Sequence, residues 1–536
     1  MSSEEVQFLD KQKQKNVNNA NIRHHCSIIS KAFRPLKDFI HPQSVKEFGC
    51  KRLVSIDFLR GISIFVMLAG HEFADIMASD ADSNILYYII GVPLGLVGGF
   101  RIFFILISGI SHAYVFASSS GGKSASNVLV GLFIQLFGSF LAIPLFYLFH
   151  VCNVMCGDFA NGTIEVSKQW FKRFGVWSHP PIFFGLSQPV NCVVLILIYV
   201  LIMVPMQRNK KIKRQYIYWT ISAICFIVAV IHPFIYMNIS NGLRKSMAKA
   251  TGLNPETDFK GSDRECPGNA FGGWYVQTIQ THFQYIFYHF NAGTYMQMNC
   301  MYMFFMMGLS MGFVIVAFKH QKQQIMQEKT ENYKLQYKKL KRNYYLYLGL
   351  SPVIILICEL LVHVQVKAQV KSGVRTFRFG FVEFVKTFLP PDCYVPEYNL
   401  AAMCVQMWLV FLAILLFDGT TNAKAKKRAE RILYLRRFSS LSFSCFVFGY
   451  ALSQPIRNLL QIEDGKTYIW DYIGYIIMYF VITLLVHCTF DTFGDRMTPD
   501  WAIKRFGHIF SFKDKFTDVS EQHLNVDPIN LFEKLE

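Results

Sequence analysis

The chain has 536 residues, of which 52% are hydrophobic and 16% aromatic, and its mean hydropathy is +0.27. A soluble domain carries about 45–50% apolar residues, so this apolar content, gathered in long blocks, excludes a soluble globular enzyme and indicates a polytopic membrane protein. The formal net charge is +18, and because the basic residues flank the apolar blocks, it requires no nucleic-acid partner.

The apolar blocks predict an all-α transmembrane bundle of about ten spans. A spanning helix needs about 20 mainly apolar residues. Ten segments meet this requirement, at 53–78, 86–117, 127–150, 189–206, 216–238, 294–317, 344–366, 398–417, 438–454 and 468–490. The second is long enough to be tilted, or to break near Pro93 or the Gly98-Gly99 pair.

The distribution of lysine and arginine predicts the orientation of the bundle. With ten spans, one side of the membrane receives residues 1–52, 118–126, 207–215, 318–343, 418–437 and 491–536. These segments carry about two thirds of the 54 lysine and arginine residues. The positive-inside rule therefore places both termini on the cytoplasmic or matrix side.

The spans divide the chain into three parts. They are a polar basic N-terminal arm at 1–52, the bundle at 53–490 and a C-terminal tail at 491–536. Long outer loops at 151–187 and 239–293 are expected to cap the bundle. The inner segment 319–343 is predicted to be a charged helical hairpin, which is either a solvated extension of two spans or a docking surface for a partner.

The sequence leaves the organelle open. No cleavable targeting signal is visible, because about fifty polar residues precede the first span and acidic residues lie among the first ten. Four cysteines in the outer loops, Cys152, Cys156, Cys266 and Cys393, and two glycosylation triplets, at Asn161 and Asn238, would suit an oxidising compartment. A mitochondrial inner membrane and an endolysosomal or secretory membrane both fit.

Four ionisable residues lie on one stripe of the first span. They are Asp57, Arg60, His71 and Asp75. Because an α-helix turns about 100° per residue, they fall within roughly 60° of one another. Charge near a bilayer centre is costly, so such residues face a cavity or a partner. Asp57 and Arg60, three residues apart, predict a structural ion pair near the inner face.

Two histidine–carboxylate pairs are candidates for acid–base chemistry. His71 and Asp75 are four residues apart, which allows the carboxylate to orient the imidazole as a general base. Glu359 and His363 have the same spacing in the seventh span. The two pairs could share one cavity, or each could be a buried polar clamp between helices.

The remaining polar residues of the spans carry weaker signals. Arg101 has no carboxylate three or four residues away, so it needs either a partner on another helix or an anionic ligand. The single histidines of apolar helices, His112, His150, His232 and His487, are interpreted as core residues. Metal-binding and phosphate-loop motifs are missing from the sequence, so no metal cofactor is predicted.

The first two spans resemble the heparan-alpha-glucosaminide N-acetyltransferase family and its bacterial relatives. The resemblance lies in RLVSIDFLRG at 52–61 followed by His71-x-x-x-Asp75, and in RIFFILISG at 101–109. It implies a bundle that passes an acetyl group from acetyl-CoA on the basic side to an amino sugar on the other. On this hypothesis His71 is the base, oriented by Asp75, and Arg101 contacts an anionic group of the donor. Glu359 and His363 line the acceptor side.

The chain also departs from the family pattern. The lysosomal branch has its catalytic histidine some ten residues after the position of His71, where this chain has Asp80 and Asp82. A late helix keeps the Ser-Leu opening at 439–441 without the histidine that follows it in relatives. These departures favour a second hypothesis, a catalytically silent accessory subunit of a large membrane assembly, such as a respiratory complex, that docks through 1–52 and 319–343. A transporter is a third interpretation, but no repeat of spans supports it.

Overall fold

A computed structural model of the chain describes eleven main stretches and some single positions between them. The stretches are residues 50–76, 102–120, 128–137, 190–209, 212–251, 298–328, 332–369, 396–419, 442–463, 467–492 and 526–528. Residues 1–49 of the predicted arm, the outer loop at 151–187 and most of the tail lie outside them. So do Pro93, Gly98 and Arg101.

The described chain is helical apart from one short pair of strands. Its helices are α1 (Val54–Ile76), α2 (Ile102–Ser120), α3 (Val128–Phe137), α4 (Val190–Arg208), α5 (Arg214–Thr251), α6 (Met298–Glu328), α7 (Tyr333–Gln369), α8 (Pro396–Asp418), α9 (Ser442–Leu459) and α10 (Ile469–Thr492). Helices α4 and α8 contain π-helical turns at Tyr199–Met203 and Ile414–Asp418. The strands are β1 (Cys50–Arg52) and β2 (Val526–Pro528).

Each predicted span overlaps one of these helices. Three of them, at Val190–Arg208, Arg214–His232 and Tyr302–Glu328, are long and apolar enough to cross a membrane, and shorter apolar helices lie in α2, α3, α8 and α10. The protein is therefore a helical, membrane-associated protein. Helix α5 continues to Thr251, so the first part of the predicted loop at 239–293 is helical. The hairpin predicted at 319–343 is helical in both arms, at the end of α6 and the start of α7.

Helix α6 is the centre of the bundle. It packs against α2, α5 and α7, and most of its apolar window is buried. Small residues allow these close contacts: a Cβ on Gly308 would overlap the carbonyl oxygen of Leu106, and one on Gly312 would lie 2.6 Å from the Cβ of Ala113. Helix α1 joins this core to the α9–α10 pair, since it contacts α2, α8, α9 and α10.

Contacts between helix ends show that α1 and α8 run in opposite directions, and so do α6 and α7. Phe58, near the start of α1, packs on Phe417, at the end of α8, with ring centroids 4.7 Å apart. Phe318, late in α6, packs at 4.7 Å on Tyr344, early in α7. The start of α1, the end of α6, the start of α7 and the end of α8 therefore meet at one end of the bundle, which we call the inner end. The opposite end, where α1 finishes and α10 begins, is the outer end.

The two ends of the described chain also meet. Strand β1 pairs in parallel with β2, with Cys50 opposite Val526 and Arg52 opposite Pro528. Because β1 directly precedes α1, this pairing brings the C-terminal segment back to the inner end. The two described strands that flank the helices therefore lie together at the inner end.

Candidate functional site

Asp418 caps the inner end of α1. Its carboxylate accepts hydrogen bonds from the backbone N–H groups of Val54, at 3.3 Å, and Ser55, at 3.1 Å. The first N–H groups of a helix have no partner inside it, and the helix dipole favours a negative charge there. Asp418 is fully buried and comes from the last turn of α8. It therefore fixes the start of α1 against α8.

Arg60 ties α1 to α2. Its Nη2 donates a hydrogen bond of 2.6 Å to Ser111 Oγ, and Ser111 in turn donates to the carbonyl oxygen of Ile107. Asp57 is buried one turn before Arg60. The structural role that the sequence predicts for Arg60 thus has a described contact on a second helix. A direct pair between Asp57 and Arg60 stays a prediction.

Further polar bonds join the helices in the inner half of the bundle. Lys319 Nζ donates to Tyr114 Oη at 3.1 Å. Ser222 and Ser310 bond to each other's carbonyl oxygens at 2.9 Å, and Ser310 Oγ lies 2.9 Å from Tyr347 Oη. These polar groups use one another as partners, which is the arrangement expected of a structural network.

His112 is one of the predicted core histidines, and that interpretation is confirmed. Its Nδ1 donates a hydrogen bond of 2.8 Å to the carbonyl oxygen of Ser108, and its ring packs edge-on against Phe305. The imidazole is held within its own helix and against α6.

The outer turns of α1 are held by the start of α10. Tyr472 Oη donates a hydrogen bond of 2.8 Å to the carbonyl oxygen of Ala69, and its ring packs edge-on against Phe73. The backbone N–H of Thr467 donates to the carbonyl oxygen of Ile76 at 3.1 Å. The turns that carry His71 and Asp75 therefore lie between two fixed points.

The predicted catalytic and binding residues are described only by their backbone, or not at all. His71 and Asp75 lie four residues apart in the unbroken helix α1, and Glu359 and His363 lie in α7. The side chains of these four residues, and all of Arg101, fall outside the described part. Their contacts stay predictions.

The depths of these residues follow from the helix register. His71 lies 13 residues beyond Phe58, hence about 20 Å from the inner contact with Phe417. Two hydrogen bonds set the register of α7 against α8, from Cys404 Sγ to the carbonyl oxygen of Pro352 and from Trp408 Nε1 to that of Gly349, both 3.2 Å. By this count Glu359 lies about one helical turn closer to the outer end than Asp75.

Three buried polar side chains toward the outer half of the bundle have no hydrogen-bond partner among the described residues. They are the hydroxyls of Tyr302 and Ser351 and both amide atoms of Gln406. Gln406 is fully buried. Sequence reasoning missed these residues because it followed ionisable groups. The available signal was a glutamine inside an apolar run, MCVQMWLV at 403–410.

No family model, curated protein or solved structure matches the chain. The resemblance to the acetyltransferase family therefore depends on the residues of the first two spans alone. Within the described residues, no group of three or more histidine, cysteine or acidic side chains is placed to hold a metal ion.

Proposed function

We propose that this chain is a membrane acyltransferase that passes an acetyl or other acyl group from acyl-CoA to an acceptor, such as an amino sugar. The observation that supports the proposal is that α1 is held in place at both ends. Its inner end is fixed by Asp418, its outer turns are fixed by Tyr472, and His71 and Asp75 lie one turn apart in those outer turns. A base needs a rigid support of this kind.

In this proposal about ten helices cross the membrane, and the inner end faces the cytoplasm or the matrix. The basic residues of that end attract the phosphates of acetyl-CoA, the co-substrate. Arg101 contacts an anionic group of the donor, while Glu359 and His363 line the acceptor side. The membrane is either the mitochondrial inner membrane or an endolysosomal or secretory membrane.

His71 is the general base of the proposed transfer. It removes a proton from the acceptor amine as the nitrogen attacks the carbonyl carbon of the thioester. The C–N bond forms, the C–S bond breaks, and the CoA thiolate leaves and takes up a proton. Asp75 holds the imidazole in one tautomer and stabilises the imidazolium that forms.

The test is acyl transfer by the purified protein in proteoliposomes, with radiolabelled acetyl-CoA and glucosamine. His71→Ala is expected to lower turnover by at least about a hundredfold, the usual contribution of a general base. His112→Gln is the matched control, because this histidine also lies in an apolar helix but its described hydrogen bonds are to Ser108 of the same helix. Turnover that His71→Ala leaves unchanged would exclude the role of His71.

A second function, that of an accessory subunit, is supported by the hairpin formed by the end of α6 and the start of α7. It extends past the apolar part of both helices, and two apolar side chains, Met326 and Leu335, are 37% and 53% exposed on its charged surface. Exposed apolar groups with a polar rim are typical of docking sites. The partner would be a larger membrane assembly.

Native electrophoresis of the solubilised membrane separates the two functions. A small oligomer that retains CoA is expected of the acyltransferase. Co-migration with a very large complex, lost on Leu335→Glu and without bound CoA, is expected of the subunit. Lys338→Glu is the control for added negative charge on the same helix.

A further inference from the structure

Gln406 is an unusual residue for its place in the bundle. It is fully buried in α8, and neither its amide nitrogen nor its amide oxygen has a partner among the described residues. Its neighbours on the same stripe of the helix, Met403, Met407 and Val410, belong to the main apolar core. A buried amide without partners is costly, so the position calls for a polar group that bonds to it.

The side chain of Gln406 points away from α7. Cys404 and Trp408 both bond to backbone carbonyls of α7, so they mark the face of α8 that packs on that helix. Gln406 lies two residues from each, which is about 200° around the helix axis. Because the side chain is fully buried, this opposite face is turned to the interior of the bundle, where α8 also packs against α1.

Gln406 lies at nearly the depth of His71. The contact between Phe58 and Phe417 aligns α1 with α8. From that contact, Gln406 lies 11 residues and His71 lies 13 residues toward the outer end. The difference in depth is about 3 Å, less than one helical turn. The register thus places the amide of Gln406 on α8 at nearly the same depth as His71, the proposed base on α1.

We propose that Gln406 binds a neutral hydroxyl group of the acyl acceptor and so determines acceptor specificity. This inference rests on the proposed function, since His71 is taken as the base. A primary amide offers two N–H donors and one carbonyl acceptor, and a hydroxyl also donates and accepts. The pair can therefore satisfy both atoms of the amide without burying a net charge.

This role predicts discrimination between acceptors that carry hydroxyls and those that do not. A site built to bond a hydroxyl rejects an analogue without one, because its own polar group then stays unpaired. Glucosamine and cyclohexylamine suit the test, because both present an amine on a six-membered ring and only the sugar carries hydroxyls. The parent protein is expected to prefer glucosamine in kcat/KM.

The variant for the test is Gln406→Leu, which keeps the size of the side chain and removes the amide. We expect the KM for glucosamine to rise about tenfold, the value of one hydrogen bond to a buried group, with little change for cyclohexylamine or acetyl-CoA. Met407→Leu is the control for altered packing in the same stretch. An unchanged ratio of kcat/KM between the two acceptors would overturn the inference.

A binding measurement keeps the inference testable if the protein transfers nothing. Without ligand, Gln406→Leu is expected to raise the melting temperature, because a buried amide is removed from an apolar core. Glucosamine is expected to raise the melting temperature of the parent protein more than that of the variant, because it binds the variant about tenfold more weakly. If the shift is equal in both, or missing in the parent, Gln406 is not part of an acceptor site. If transfer alone is missing, the proposed function fails and the binding role of Gln406 stands.

Discussion

At the scale of single residues, the most consequential contact is the cap that Asp418 forms on α1. Asp418→Ala removes two hydrogen bonds to the first N–H groups of the helix, together with the favourable interaction with its dipole. We expect a loss of about 1–2 kcal/mol in the free energy of unfolding. Thermal unfolding in detergent, followed by size-exclusion chromatography, measures it.

Asp471 provides the matched control for this prediction. It also lies in the first turn of a helix, α10, but its side chain is exposed. Asp471→Ala should therefore cost clearly less, because solvent replaces its interactions. Equal losses in the two variants would mean that the buried position of Asp418 contributes nothing beyond an ordinary surface charge.

The sequence predicted part of this residue-scale picture. Helical spacing predicted the charged stripe of α1 and an ion pair between Asp57 and Arg60, but not the bond from Arg60 to Ser111 on α2. It was unable to reveal Asp418, which lies 363 residues from Ser55 along the chain, because a cap formed by a distant residue leaves no local pattern. Gln406 was missed for a related reason: a neutral amide inside an apolar run attracts attention only when its lack of partners is seen in three dimensions.

At the scale of elements, the crossing of α2 and α6 depends on glycine. Gly308 has no room for a Cβ, since the carbonyl oxygen of Leu106 occupies that place and the Cα of Gly109 lies 3.0 Å from it. Gly308→Ala must push the two helices apart, with an expected loss of about 1–3 kcal/mol. The loss is measured by unfolding of the purified protein with increasing SDS.

Gly474 in α10 is the control for the helical effect of the same substitution. A Cβ there has no atom within 4 Å. Alanine has the higher helix propensity, so Gly474→Ala should be neutral or slightly stabilising. If Gly308→Ala were also neutral or slightly stabilising, the result would contradict the close approach of α2 to α6.

A second prediction at this scale concerns the hydrogen-bonded serines, Ser222 and Ser310. The hydroxyl oxygens of Ser222 and Ser310 lie 3.0 Å apart, within hydrogen-bond distance, across α5 and α6, so the contributions of the two side chains to stability should not be additive. We expect a coupling of about 0.6–1.7 kcal/mol, the range found for hydrogen bonds between membrane helices. A double-mutant cycle with Ser222→Ala and Ser310→Ala measures it, and additive losses within error would contradict the bond.

The elements themselves were predicted better than their ends. Apolar blocks locate helices because each must bury or expose to lipid a continuous apolar surface. The ends follow backbone bonding and capping instead, which hydropathy does not report. Helix α5 illustrates the difference, since it continues beyond the apolar segment through KSMAKA at 245–250, whose residues are mostly good helix formers.

At the scale of the whole molecule, the contacts between helix ends separate a basic inner end from an opposite outer end. The start of α7 carries Lys334, Lys338 and Lys339 close to the inner contacts of Phe318. The start of α10 lies at the outer end, beside the last turns of α1. By the positive-inside rule, we predict that the two ends lie on opposite faces of the membrane, with the basic end on the cytoplasmic or matrix side.

Labelling with a membrane-impermeant maleimide tests this assignment. Leu335 on the hairpin and Tyr468 before α10 are 53% and 64% exposed, so a cysteine at either position is accessible to the reagent. In sealed vesicles with the cytoplasmic or matrix face inside, Tyr468→Cys is expected to react at once and Leu335→Cys only after permeabilisation. The parent chain has 13 cysteines and gives the background that is subtracted. Labelling of both variants from the same side would place the two ends on one face of the membrane and would contradict the predicted orientation.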